Sequence, residues 1–291
     1  MKTYKEKVLC VQDINESQKQ QISQLIEICN RKDKIELNLN LDKRDNIHDL
    51  LYYEGDSLVG YLTLLPSYIK KEKKAIGIVH PSYRKKGIFK KLVEEGKNIC
   101  SQINVEKIIF INNSESISGL KSLKSIGAKY ISSSYKMIYN DNYELSRHKE
   151  DKRLQVIKAN DKDIDDLIII GTEAFHTSIE EEKEYILSGL NNLNKSIYIV
   201  KYNRKSIGAV SITEVNKAIV ISDLSVLIDY RRKGIGKYIL QNVVIDLYDK
   251  GYKDISLFVE IQNKNAINIY EDSGFIISNG NDFYELNIIA K

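Results

Sequence analysis

Val226-Leu227-Ile228-Asp229-Tyr230-Arg231-Arg232-Lys233-Gly234-Ile235-Gly236-Lys237 decides the fold of this 291-residue chain. It is a strand that runs into a glycine-rich, cationic turn, and the longer stretch Asp223 to Phe275 continues it as helix, strand, short helix and glycine. Apolar residues at Ile235, Ile239, Leu240, Val243, Val244 and Leu247 recur at the spacing of one buried helical face. Gly251 then ends the helix, being tolerant of the left-handed conformation. The first N–H groups of a helix lack internal partners and carry the positive end of its dipole, so such a turn is a cradle for phosphate. Arg231, Arg232, Lys233 and Lys237 add full charges around it. The turn therefore predicts a ligand with a pyrophosphate or several phosphates.

Two familiar phosphate loops do not fit. In the Walker pattern G-x-x-x-x-G-K-[ST], Arg231 stands at the first glycine and Tyr238 at the hydroxyl position. In the dinucleotide fingerprint G-x-G-x-x-G, Ile239 stands at the third glycine. The pattern Arg-x-x-Gly-x-Gly fits in full. Downstream, Lys253 to Glu260 reads as a strand, with Ile255, Leu257 and Val259 on one face, and is followed by the series Asn263, Ala266, Tyr270, Gly274, Phe275. These two segments together resemble the GNAT superfamily of acyl-CoA N-acyltransferases: the first is similar to its CoA pyrophosphate loop, the second to its following motif.

The resemblance implies an α/β class fold whose mixed β-sheet is splayed between its fourth and fifth strands, with acyl-CoA wedged into the split. It also implies acetyl-CoA as the cofactor and N-acetyl transfer to a primary amine by direct attack in a ternary complex. The pyrophosphate would lie on the N–H groups from Arg232 through Lys233, Gly234, Ile235 and Gly236 to Lys237, beside Arg231. The pantetheine arm would pair with the open edge at Leu224-Ser225-Val226, as an added strand does. The N–H of Val226 would stabilise the thioester oxygen. Asn263 would bond the CoA arm, or simply cap its helix. Tyr270 would be the general acid, because a phenol of pKa about 10 can protonate a thiolate whose thiol has a pKa of about 8.5. Asp223 would be the general base, with Ser225 and Glu260 as neighbours able to hold a water.

The first half of the chain repeats the second. Arg84 and Arg231, Gly87 and Gly234, and Gly127 and Gly274 are each 147 residues apart, and Gly60 and Gly208 are 148 apart. A constant offset means two copies of one unit, which predicts two tandem GNAT-like domains, each a mixed, splayed β-sheet flanked by helices. Residues 143–154 are dense in charge and lack apolar periodicity, as a linker does. The expected domains are therefore 1–145, degenerate, and 154–291, catalytic. The first copy has Phe89 for the last glycine of the turn, Ser116 for Asn263, Gly119 for Ala266 and Leu123 for Tyr270. Leucine cannot donate a proton, so that copy is expected to be silent. Whether it binds CoA is open at this stage.

Composition narrows the classes. The chain is 42% hydrophobic and 29% charged, which suits a soluble globular protein. Its net charge of +4, from 44 basic and 40 acidic residues, does not argue for a nucleic-acid partner. Cys10, Cys29 and Cys100 are odd in number and lack C-x-x-C spacing, against a disulfide framework or a metal site. The scattered His48, His80, His148 and His176 suggest no metal cluster either. With no apolar signal segment or membrane-length run, the expected location is cytoplasmic. The expected partner is an amine-bearing small molecule or peptide, with a homodimer left open. The rival reading is a non-catalytic acyl-CoA sensor or docking module, and a third transfers a longer acyl group.

Overall fold

The computed structural model describes residues 7–42, 46–67, 69–143, 153–215 and 217–288. The chain forms two compact units, one made of residues up to Ser133 with those from Asn279 onward, the other of Ser134–Ser278.

The first unit contains β1 (Lys7–Val11), α1 (Glu16–Asp33), β2 (His48–Glu54), β3 (Ser57–Pro66), β4 (Glu72–Val79), α2 (Ile88–Gln102), β5 (Lys107–Asn113) and α3 (Ile117–Ser125). Strands β1 to β4 pair antiparallel in sequence order. Strand β5 joins β4 in parallel from Glu72–Lys107 to Ala75–Phe110, after which the two part. Helix α2 buries Ile88, Leu92 and Val93 against Leu50, Leu62 and Phe110.

The second unit repeats this order with β7 (Leu154–Lys158), α4 (Ile164–Phe175), α5 (Ile179–Leu190), β8 (Lys195–Tyr202), β9 (Lys205–Val215), β10 (Ala218–Val226), α6 (Ile235–Asp249), β11 (Ile255–Glu260) and α7 (Lys264–Glu271). The face expected of α6 is the one it buries: Ile235, Ile239, Leu240, Val243, Val244 and Leu247 all lie in the core, against Ile219, Ile221 and Leu257. A second layer of Leu167, Ile168 and Ile170 from α4 and Ile186 from α5 covers Ile197, Ile199 and Ala209 on the other face.

The units do not follow the boundary expected from the charged linker, most of which lies outside the described residues. The last strand of each copy is exchanged. Strand β6 (Lys129–Tyr139) closes the first copy in sequence, yet Ser134–Ile138 pair antiparallel with Ser256–Glu260 of β11. Strand β12 (Phe275–Asn287) closes the second copy, yet Asn281–Asn287 pair with Lys107–Asn113 of β5. The expectations of domains 1–145 and 154–291, and of a final strand closing the sheet of its own copy, are corrected accordingly. Alternating apolar residues say that a segment is a strand, but two repeats offer it two equivalent edges. Met137, fully buried in the second unit's core, is a part of that core supplied from the first copy. Replacing Met137 with Ala should destabilise the second unit by about 2–5 kcal/mol, read as a lower denaturant midpoint. An unchanged midpoint would contradict the exchange.

Candidate active site

Strands β10 and β11 pair in parallel only from Ile219–Ile255 to Ile221–Leu257. Beyond that the sheet splits, and a bulge in β10 directs the split. Between Ser222, opposite Ser211, and Ser225, opposite Ala209, the strand carries one residue more than its partner. Asp223 lies in the bulge with φ 55, a left-handed conformation that a short polar side chain tolerates. Gly208 makes room for it, since a Cβ there would sit 2.4 Å from the Ser225 carbonyl oxygen.

The bulge sets which way the N–H groups point. The Leu227 N–H bonds the Ile207 carbonyl on the β9 side at 2.8 Å. Alternation along a strand then turns the N–H of Val226 to the opposite side, into the split. The Val226 carbonyl is held by Arg231 Nε at 2.7 Å. Leu224 is partly buried and packs against the core. Ser225 turns toward β9, its hydroxyl bonding Ala209 O at 3.4 Å, and Glu260 is exposed.

The strand then makes a single 3-10 turn, Ile228–Tyr230, and enters the cationic elbow. Arg232 (φ 61) and Gly234 (φ 76) are left-handed, and Gly234 caps α6 with no side-chain hydrogen bond. The first bond inside the helix runs from Tyr238 N to Gly234 O. The N–H groups of Ile235, Gly236 and Lys237 therefore stand ahead of the helical ladder. A Cβ on Gly236 would meet only Ile269 Cδ1, at an ordinary 3.6 Å. The fold itself does not need a glycine there, but a bulky anion approaching the backbone does. The residues present thus fit a diphosphate. Lys237 lies 3.6 Å from Asp272, and Lys233 bonds the Asp229 carbonyl, both at the surface.

Tyr270 comes from α7, whose N-cap is Asn263 with its side-chain oxygen 3.1 Å from Ala266 N. That oxygen is occupied by capping, which leaves the amide nitrogen as the donor for a ligand. The Tyr270 ring is half-buried, edge-on to Phe275. Burial, and then the charge of Asp223, push its pKa up to about 12. The charge of Asp223 is therefore felt at the Tyr270 phenol.

Asp223 sits in a network that sequence reasoning missed. Its Oδ2 accepts from Tyr185 Oη at 2.5 Å, Ser222 Oγ at 3.1 Å and Lys195 Nζ at 3.2 Å. Lys195 also donates to Tyr185 at 2.6 Å and lies over its ring. Three donors on one oxygen leave Oδ1 as the atom with lone pairs to offer. Nearby, Glu182 of α5 is buried, and burial followed by the charge of Asp223 raises its pKa. Tyr185 and Lys195 lie 38 and 28 residues from Asp223, and no local spacing signals them.

The first unit has the same backbone elbow, with Lys85 at φ 65, Gly87 at φ 79 and Arg84 Nε 3.1 Å from Val79 O. Its chemistry differs. Strands β3 and β4 pair without a bulge. The Arg84 guanidinium is gripped by both oxygens of Asp33, at 2.8 and 2.7 Å, and Ser118 bonds the same carboxylate. Phe89 lies against Gly77, where a Cβ would be 2.7 Å from the ring. A cavity of about 390 Å³ remains between the parted strands, lined by Ile76, Val79, Phe89, Phe110 and Leu123. Gly119 leaves space for the Asn112 amide, whose oxygen would lie 1.9 Å from a Cβ.

The acetyltransferase (GNAT) family model matches residues 12–118 and 164–275. The chain belongs to the GNAT acetyltransferase family. Both repeats carry the match, so this is a tandem GNAT chain. No curated protein matches it in sequence. Among solved structures, it resembles a GCN5-related N-acetyltransferase from Sphaerobacter thermophilus, with a TM-score of 0.79 at 16% identity over 97% of this chain and 96% of that one. A tandem GNAT protein from the clavulanic acid biosynthesis pathway gives 0.73 at 13% identity, over 98% and 99%. A GNAT-family acetyltransferase from Colwellia psychrerythraea gives 0.63 at 12% identity, over 96% and 99%. At such identities the likeness is one of fold. Among the described residues of this GNAT protein, no helix is long and apolar enough to cross a membrane.

Proposed function

We propose that the second unit is an acetyl-CoA-dependent N-acetyltransferase acting on a primary amine by direct attack, and that the first unit is catalytically silent. The observation that carries this reading is the parting of β10 from β11 beyond Ile221–Leu257, on a strand that leads through the elbow into an α6 N-terminus with no side-chain cap. The elbow N–H groups from Arg232 to Lys237, with Arg231 behind them, hold the diphosphate. The edge at Leu224 to Val226 and the amide nitrogen of Asn263 hold the amide arm. When bound, acetyl-CoA supplies an acetyl group activated as a thioester.

Val226 N–H donates to the thioester oxygen as negative charge develops there. Asp223 Oδ1 accepts a proton from the attacking nitrogen. Tyr270 gives its proton to the departing sulfur. A phenol held at about 12 is a weak acid beside a thiol of about 8.5, but one of the two causes of that shift is the charge of Asp223. Once Asp223 is protonated that charge is gone, and Tyr270 becomes the stronger acid at the moment its proton is needed.

In the first unit, Leu123 at the tyrosine position has no proton to give, and β4 lacks the bulge. Its cavity favours a second reading for that unit alone, acyl-CoA binding without transfer. Free thiol released from acetyl-CoA by the full chain, measured against a panel of primary amines, tests the leading reading. Amine-dependent release is expected, and a rate equal to the amine-free rate with every amine would reject it.

A further inference from the structure

Strands β4 and β5 of the first unit part beyond Ala75–Phe110, and a cavity of about 390 Å³ lies between them. That volume suits a small-molecule site. Its wall differs from the second unit's at two linked positions. At the 147-residue offset, Asn112 stands where β11 has Val259, and Gly119 where α7 has Ala266. The two changes need each other: a Cβ on residue 119 would lie 1.9 Å from Asn112 Oδ1, so alanine would displace the amide. Asn112 keeps only 7% of its surface exposed. Its Nδ2 donates to Asn113 O at 2.8 Å, while Oδ1 accepts no hydrogen bond from any described residue. That oxygen is not fully enclosed, and the residue lines the cavity. A nearly buried acceptor without a donor is costly, and the N–H of a ligand would satisfy it.

The same site is built against a charged ligand. Arg84 belongs to the elbow after β4 and Ser118 to α3 after β5, so they stand on opposite sides of the split, and the Asp33 carboxylate joins them. The guanidinium spends both terminal nitrogens on Asp33 and its Nε on Val79 O. Its charge is neutralised there. Phe89, packed on Gly77, puts a ring where the second unit has the bare Gly236. Lys85 and Lys121, the other cations of the wall, are exposed. Ile76, Val79, Phe110 and Leu123 make the rest of it apolar. We propose that the first unit binds a small uncharged secondary amide, with its N–H on Asn112 Oδ1 and its apolar chain against Phe89 and Phe110. An amide fits better than an alcohol, because its carbonyl can also pair with the parted strand edges, as an added strand does. Acyl-CoA would have to break the Asp33–Arg84 pair to lay its diphosphate on this elbow. The proposal goes beyond acetyl transfer by the second unit and does not depend on it.

The test titrates the full chain with N-hexylacetamide, with hexyl acetate, which keeps the shape but lacks the N–H, and with hexylammonium. Nitrogen-15 spectra read the Asn112 side-chain amide and the backbone amides of Val79 and Phe110. N-hexylacetamide should shift these signals to saturation and bind about two- to tenfold tighter than the ester, the range of one net hydrogen bond. Hexylammonium should bind more weakly than either. Asn112→Val and Gly119→Ala each install the second repeat's own residue, and each should remove the advantage of the amide over the ester, read at Val79 and Phe110. If one variant fails to fold, the other decides. Equal binding of amide and ester by the wild type, no saturable shift with either, or an advantage that survives a folded variant would overturn the proposal. Displacement of the amide by acetyl-CoA would overturn it too, by giving the cavity to the charged carrier. A chain that releases no thiol with any amine would reject acetyl transfer and leave these titrations to decide the amide site.

Discussion

Replacing Tyr270 with Phe lowers turnover by about ten- to a thousand-fold, at or below the usual range for one acid–base group, and leaves acetyl-CoA affinity nearly unchanged. The change removes one hydroxyl from a ring that otherwise packs edge-on to Phe275, so the core beside it is kept. The pH dependence has a definite sign. Burial and Asp223 hold the phenol up at about 12, so Tyr270 stays protonated through the neutral range and adds no basic limb below pH 9. Rate profiles from pH 6 to 9 should therefore fall together, with the same shape in wild type and variant. A variant rate equal to wild type would take Tyr270 out of the reaction.

Gly236→Glu separates binding from folding. Glutamate forms helices better than glycine by about 0.5–1 kcal/mol, and a carboxylate in the first turn favours the dipole. The space is open, with Ile269 Cδ1 at 3.6 Å as the nearest neighbour of the new Cβ. The melting temperature should hold or rise. Acetyl-CoA affinity should drop by about a hundred-fold or more, because a fixed negative charge faces the diphosphate where bare N–H groups stood. Calorimetry and thermal melts on the same sample read both effects. A stable variant that binds as wild type does would put the diphosphate somewhere else.

The parts that local chemistry dictates were legible in the sequence. Arg231, Gly234 and Gly236 announce the elbow because the backbone there must turn left-handed and stay bare, and both demands restrict residue type. The buried face of α6 follows from its spacing. The 147-residue offset reveals the repeat, which the family match in both halves bears out. What failed to show depends on distance. The Asp223 bulge looks like ordinary strand alternation, and Tyr185 and Lys195 are polar residues on other elements until the fold brings them to it. The exchange of β6 and β12 leaves no mark, since a strand of either copy satisfies either edge. One hint was available: Gly171 interrupts a helical run where glycine has no local use, and Glu182 is the reason. In the first copy, Asp33 was hidden in the same way, 51 residues from the arginine it grips.

Backbone amide hydrogen exchange of the full chain, with and without saturating acetyl-CoA, measures the central claim most directly. The N–H groups of Ile235, Gly236 and Lys237, open ahead of the α6 ladder, should slow markedly on binding, and that of Val226 with them. If the cofactor binds while those four amides exchange as before, the carrier is not held on that backbone, and the account of the second unit is wrong.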